Sequence, residues 1–282
     1  MNTKNNIISK IKEQQRLWAE RKGIKLDKDG YCCDRNKNFF QPLSSGTIRD
    51  LMTGDGAELG KDGQRGKIQA VHSSSAIACN FFDYWRGRDL SLLVQTFDLT
   101  GQFSGPAFEQ KYPTGLKGKS PNIDVVLYRI DGFLFAIESK FTEPFQQSNT
   151  KGPLKPKYFH NKKALWEEVR LSGCQAMAEK LHSNPLQFKH LDAAQLLKHM
   201  LGLAKNRQNW VLCYLWYCPD DPIAKYHAEE VVQFTQGIGS DATKFSSLTY
   251  QELFKRISYL LGQEHSHYRS YLKDRYFSDT TT

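Results

Sequence analysis

The chain has 282 residues, 39% hydrophobic and 12% aromatic, so it carries material for a sizeable core. Its longest apolar run, the nine residues 210–218, falls far short of the ~18 needed to span a bilayer, which excludes a transmembrane anchor of that kind. A net charge of +9 favours a polyanionic partner, and the excess is concentrated, with ten Lys/Arg against four Asp/Glu in residues 111–163.

In chain order, the opening MNTKNNIISKIKEQ is polar and lacks the apolar stretch of a secretory signal, so the expectation is a soluble, cytoplasmic protein. Residues 4–22 set Ile7, Ile8, Ile11, Leu17 and Trp18 among charges, the pattern of an amphipathic helix. Residues 23–66 are rich in Gly, Asp and Asn and are expected to form an irregular extension packed on the core. The expected division is an N-terminal helix and extension (1–66) packed on a main domain (67–282), together one compact unit. The segment KIQAVHSSSAIACNFFDYWRG predicts one long helix ending near Gly87. A strand is expected over 107–112. Residues 123–128 and 133–139 are apolar runs on either side of Asp131-Gly132, a hairpin signal. The second run, FLFAI, does not alternate, as befits a strand buried on both faces. A Gly/Pro/Lys-rich loop (145–163) precedes a helix over 165–181, a stronger helix over LDAAQLLKHMLGLAKN, and a buried strand, WVLCYLWYC. This order indicates an α/β fold, a mixed central sheet flanked by helices. The aromatic groups FFDYW and WVLCYLWYC read as core. The six cysteines form no Cys-x-x-Cys pair and read as reduced, mostly buried thiols. The histidines, His160, His182, His190 and His199 among them, show no metal-ligand spacing, and nothing makes His72 a ligand.

The chemistry concentrates at IESKF. Glu138 and Lys140 are two apart on a strand, so their side chains share a face. Charged groups ending an apolar strand must be paired or bind an ion. Asp124, on the partner strand, joins them only in one register. A two-residue Asp131-Gly132 turn sets it opposite Ser139; a three-residue loop, Ile130-Asp131-Gly132 with left-handed Gly132, sets it opposite Glu138. Gly132 stands where the three-residue loop wants its glycine, so that loop is predicted. Two carboxylates at such a separation call for a cation, and oxygen ligands with open positions suit Mg²⁺, with Mn²⁺ as a substitute. Lys140 would then orient or deprotonate a water, or stabilise charge on the phosphate. Lys111, Lys117, Lys119, Lys151, Lys155, Lys157, Lys162 and Lys163, on the flanking loops, are candidate phosphate contacts.

The run PNIDVVLYRIDGFLFAIESK resembles the PD-(D/E)xK signature of the restriction-endonuclease-like nucleases. More widely, AVHSSSAIACNFFDYWRGRD, FEQKYPTG, AIESKFTEP and LDAAQLLKHMLGL resemble a bacterial family of restriction endonucleases inferred from that signature. The resemblance implies a metal-dependent endonuclease acting on double-stranded DNA, in restriction or phage defence. An inactive DNA-binding scaffold, an RNA nuclease and a repair nuclease are the alternatives. It implies Asp124 and Glu138 as metal ligands, the Ser139 carbonyl as another, and Lys140 as the catalytic lysine. The Asp follows Pro-Asn-Ile rather than a proline directly, a departure from the signature. The superfamily often adds one more acid, for which Glu109 is the first candidate and Glu58 and Glu143 follow. Gln195 and Lys198 lie on the helix that the resemblance sets beside the site and are candidate substrate contacts. Cutting both strands at one place would suit a homodimer, and a methyltransferase is the partner such an enzyme would have.

Overall fold

Among the described residues five strands form one sheet in chain order: β1 (Phe103–Lys111), β2 (Asn122–Arg129), β3 (Leu134–Lys140), β4 (Trp210–Trp216) and β5 (Phe245–Thr249). The computed structural model describes residues 7–54, 58–60, 64–146, 154–159, 164–184 and 187–278. β1, β2 and β3 run antiparallel, whereas β3, β4 and β5 are parallel, so the sheet is mixed as expected. The helices are α1 (Ile7–Arg21), α2 (Ser45–Thr53), α3 (Ser74–Phe82), α4 (Ser91–Gln95), α5 (Ser172–Ser183), α6 (Ala193–Asn206), α7 (Pro222–Gly237), α8 (Tyr250–Leu260) and α9 (Ser266–Tyr276). Parallel neighbours need a crossover, supplied by α5 and α6 between β3 and β4 and by α7 between β4 and β5.

The hairpin has the predicted loop. Val125 pairs with Ile137 and Tyr128 with Leu134, and Arg129 N donates to Phe133 O at 2.8 Å. That leaves Ile130, Asp131 and Gly132 as the loop, with Gly132 at φ +87°, a conformation open to glycine without steric cost. Continued by one residue, this register sets Asp124 opposite Glu138.

Several expectations are corrected. The 23–66 segment is not wholly irregular: it holds α2, capped by Ser44, whose hydroxyl accepts from Thr47 N. The predicted helix over 67–87 is three pieces, a 3-10 turn at Lys67–Gln69, α3, and a 3-10 turn at Asp83–Trp85. Ser73 is the reason for the break, since its hydroxyl takes the amide of Ala76 and starts α3 afresh. The helix predicted over 165–181 begins only at Ser172, because Arg170 is left-handed (φ +62°) and closes the 3-10 turn before it. β1 starts at Phe103, ahead of a register shift between Ser104 and Ala107 that contains Pro106, which has no amide to give the ladder. Beyond the last predicted strand lie α7, β5, α8 and α9.

Helices cover both faces of β3, whose first six residues are buried. On one face, Tyr250 of α8 meets Phe81 of α3 with ring centroids 4.8 Å apart. On the other lies α6, with Leu196, Leu197, Met200 and Leu203 buried. Helix α6 comes close because Gly202 has no side chain; a Cβ there would stand 2.4 Å from the Tyr112 carbonyl oxygen. Gly202→Ala is therefore expected to push α6 outward and cost about 1–3 kcal/mol in urea unfolding. Helix α1 docks on α9, where the buried Arg275 lies over Trp18 at 4.1 Å and donates to Gln15 Oε1 and Asn38 Oδ1.

Candidate active site

The antiparallel ladder between β2 and β3 stops at Val125–Ile137, and side chains take over beyond it. The amide of Ser139 donates to Asp124 Oδ2 at 2.7 Å instead of to a backbone carbonyl. Strand alternation then sorts the next residues. Ser139 turns its hydroxyl to Tyr250 at 2.6 Å, while Glu138 and Lys140 meet on the opposite face, Lys140 Nζ to Glu138 Oε1 at 2.6 Å. Glu138 is 1% exposed, so this is a buried ion pair.

Charge balance is uneven across this cluster. Burial opposes the charged form of Glu138, but Lys140 and His199 outweigh it and hold the carboxyl low, at about 2. Burial also opposes the charge of Lys140, yet Glu138 and Asp124 raise its pKa well above the usual lysine value, so it stays cationic. Asp124 goes the other way: burial, reinforced by the charge of Glu138, lifts its carboxyl well above the carboxylate range. Three ionisable groups thus carry one acid too many for their single lysine, an imbalance a divalent cation would correct.

Glu109 adds to the excess. It lies in β1 between Phe108 and Gln110, whose partners Val125 and Ile123 flank Asp124. Its backbone is left-handed, φ +51°, uncommon for a residue with a side chain and a form of strain that clusters at functional sites. Asn122 donates to its Oε2 at 3.0 Å, but burial and the neighbouring Glu58 push its carboxyl up to about 7. Glu58 is itself buried, accepts from Ser75 Oγ at 2.6 Å and has Lys67 3.5 Å away. Glu143 is engaged otherwise: it accepts from Ser74 Oγ and from the amides of Phe141 and Thr142, pinning the chain where it leaves β3.

One cavity of about 610 Å³ collects these groups; Glu58, Glu109, Asp124, Glu138, Ser139 and Lys140 all line it. Gln195, Lys198 and Lys119 line it too, whereas Lys117, Lys155 and Lys157 do not. Lys157 instead reaches across to donate to the Lys117 carbonyl at 2.6 Å, bracing the loop that carries Lys119. Lys151, Lys162, Lys163 and His160 lie outside the described residues.

His199 is the residue that sequence reasoning passed over. It is 1% exposed in the buried face of α6, lines the cavity, and brings Nε2 to 3.1 Å from Glu138 Oε2. The approach is off the line of a hydrogen bond, and neither atom has one elsewhere among the described residues. The signal was a histidine within the apolar stripe of a helix, four residues after Gln195.

The donor chemistry fits a hard divalent cation: convergent carboxylates, one of them with an orphaned buried oxygen, open to a polar cavity. Among the described residues no three His, Cys, Asp or Glu side chains are gathered tightly enough to enclose an ion as they stand. Water and substrate oxygens would therefore complete any coordination, as an open catalytic site requires.

A family model described as restriction endonuclease associating with ARP matches residues 10–277, nearly the whole chain. Comparisons with curated proteins and with solved structures each find no match.

Proposed function

Because the chain belongs to the family described as restriction endonuclease associating with ARP, we propose that it is a Mg²⁺-dependent endonuclease hydrolysing phosphodiester bonds of double-stranded DNA. The observation that carries this reading is the meeting of Asp124, Glu138 and Lys140 at the splayed end of the β2–β3 ladder, with Glu109 in the same cavity. Asp124 and Glu138 would hold the ion, with Glu109 and the Ser139 carbonyl as further donors and Mn²⁺ as a substitute. When bound, the ion supplies charge that polarises the scissile phosphate and makes a neighbouring water a better nucleophile.

Lys140 contributes as a cation. Its ammonium, seated beside the carboxylates, would donate hydrogen bonds to the phosphate and offset charge developing there. Glu138 holds that ammonium in place through Oε1. Lys119, Lys198 and Gln195, on the cavity wall, position phosphates on either side of the scissile bond. Lys117, Lys155 and Lys157, which do not line the cavity, would act further out along the duplex backbone, and Lys151 is a candidate for the same backbone contacts. Cutting both strands calls for two active sites, which a homodimer provides. Restriction or phage defence, with a methyltransferase protecting host DNA, is the matching role.

The test is to incubate the purified chain with plasmid DNA and with RNA, in Mg²⁺, in Mn²⁺ and in chelator. The expected result is nicking or linearisation of the plasmid in both metals and none in chelator. Cleavage of RNA alone would move the substrate class. Intact nucleic acid throughout, with DNA still bound, would make the chain a binding protein on a nuclease scaffold.

A further inference from the structure

We propose that His199 is itself a ligand of the catalytic ion, through Nε2, and that it tilts the site toward first-row transition ions such as Mn²⁺ and away from Mg²⁺. The inference deepens the nuclease reading above and rests on it.

The geometry around His199 carries the inference. A buried imidazole usually satisfies at least one nitrogen, yet Nδ1 and Nε2 of His199 both lack a hydrogen bond among the described residues. Nε2 stands 3.1 Å from Glu138 Oε2, and that oxygen also has none. The other oxygen of the carboxylate, Oε1, is taken by Lys140, so Oε2 is the one left to bind an ion. Two neighbouring ligands of a six-coordinate ion, each about 2.1 Å from it, stand about 3 Å apart. Unaligned approach at that separation, with both atoms orphaned, is what two donors aimed at a common third point produce. On ligation the close pair of His199 Nε2 and Glu138 Oε2 would be replaced by two bonds to the same ion.

Placement agrees with this reading. Helix α6 brings His199 to the Glu138 face of β3, and the close approach at Gly202 fixes how near that helix lies. The ring lines the same cavity as Asp124 and Glu109, so an ion at Glu138 Oε2 would face a polar space that water and phosphate oxygens can enter. Imidazole is a poor ligand for Mg²⁺ and a good one for transition ions, so a site with one nitrogen among its oxygens discriminates between them.

Electron spin-echo spectroscopy of Mn²⁺ bound to the full chain reads this directly, because a ligating imidazole modulates the echo through its nitrogen. The expected result is a ¹⁴N coupling in the wild type, converted to ¹⁵N when the chain is labelled at histidine and absent in His199→Gln. Calorimetry should show the Mn²⁺-over-Mg²⁺ preference falling on the order of ten-fold in His199→Gln. The labelled wild type keeps the test decisive even if that variant fails to fold. Bound Mn²⁺ without nitrogen coupling overturns the inference and leaves the nuclease reading standing. No Mn²⁺ binding at all, by echo or calorimetry, also overturns the inference, and the nuclease reading then stands or falls on the plasmid test in Mg²⁺.

Discussion

Lys140→Met is expected to lower DNA cleavage by roughly 10³-fold and to destabilise the chain, because one side chain serves both ends. For catalysis it is, among the described residues, the lysine seated on the buried acid of the site, 2.6 Å from Glu138 Oε1. For stability it is the counter-charge of a carboxylate 1% exposed to solvent. Removing one partner of a buried pair typically costs about 3–5 kcal/mol, since the charge left behind has no solvent to turn to. His199 stands 3.1 Å from Glu138 Oε2 and leaves Oε1 without its partner once the lysine is gone. The two roles separate in a double variant. Glu138→Gln with Lys140→Met removes both charges and should recover most of the lost stability in urea unfolding, while cleavage stays abolished. If Lys140→Met were folded and cut plasmid at the wild-type rate, the assignment of Lys140 would fall.

The part of the site legible in the sequence was the part fixed by local rules. Glu138 and Lys140 share a face because strands alternate, and Gly132 set the three-residue loop that brings Asp124 opposite Glu138. The mixed sheet followed from strand order alone. Where reading failed, a local competitor or a distant partner decided. Ser73 lies inside the predicted helix, and its capping bond to Ala76 breaks that element and starts α3 afresh. Glu109 was the first candidate for a further acid, but its left-handed backbone is written in no short motif. His199 was unreadable for the same reason, since its meaning comes from Glu138, sixty-one positions earlier and on another element. The lysines are sorted by their place in the fold. A basic loop segment suggested one shared role, but Lys119 lines the cavity while Lys157 braces the loop through the Lys117 carbonyl.

Glu109→Gln is expected to stabilise the metal-free chain, and by an amount that depends on pH in a defined sense. Burial, with Glu58 nearby, raises the Glu109 carboxyl from 4.5 to about 7. The folded chain therefore holds this proton more tightly than the unfolded chain. Below pH 4.5 both states carry it and Glu109 exacts no penalty; as pH rises from 4.5 to about 7 the unfolded state releases it first, and stability is lost over that window. The loss reaches at most roughly 3 kcal/mol above the upper end. Glutamine keeps the acceptor oxygen for Asn122 and carries no charge, so thermal melting in chelator should show the variant level with wild type in acid and more stable at neutral pH and above. Asp124, whose carboxyl is raised in the same direction, adds to the wild-type slope, while Glu138, held at about 2, opposes it only in more acid solution. The metal supplies the decisive comparison. A divalent ion at the acidic cluster favours the charged carboxylates, so Mn²⁺ should stabilise the wild type more than Glu109→Gln and close the gap between them, as cleavage by the variant falls. A gap unchanged by saturating Mn²⁺ would remove Glu109 from the metal site and leave it as a strained acid that merely shares the cavity.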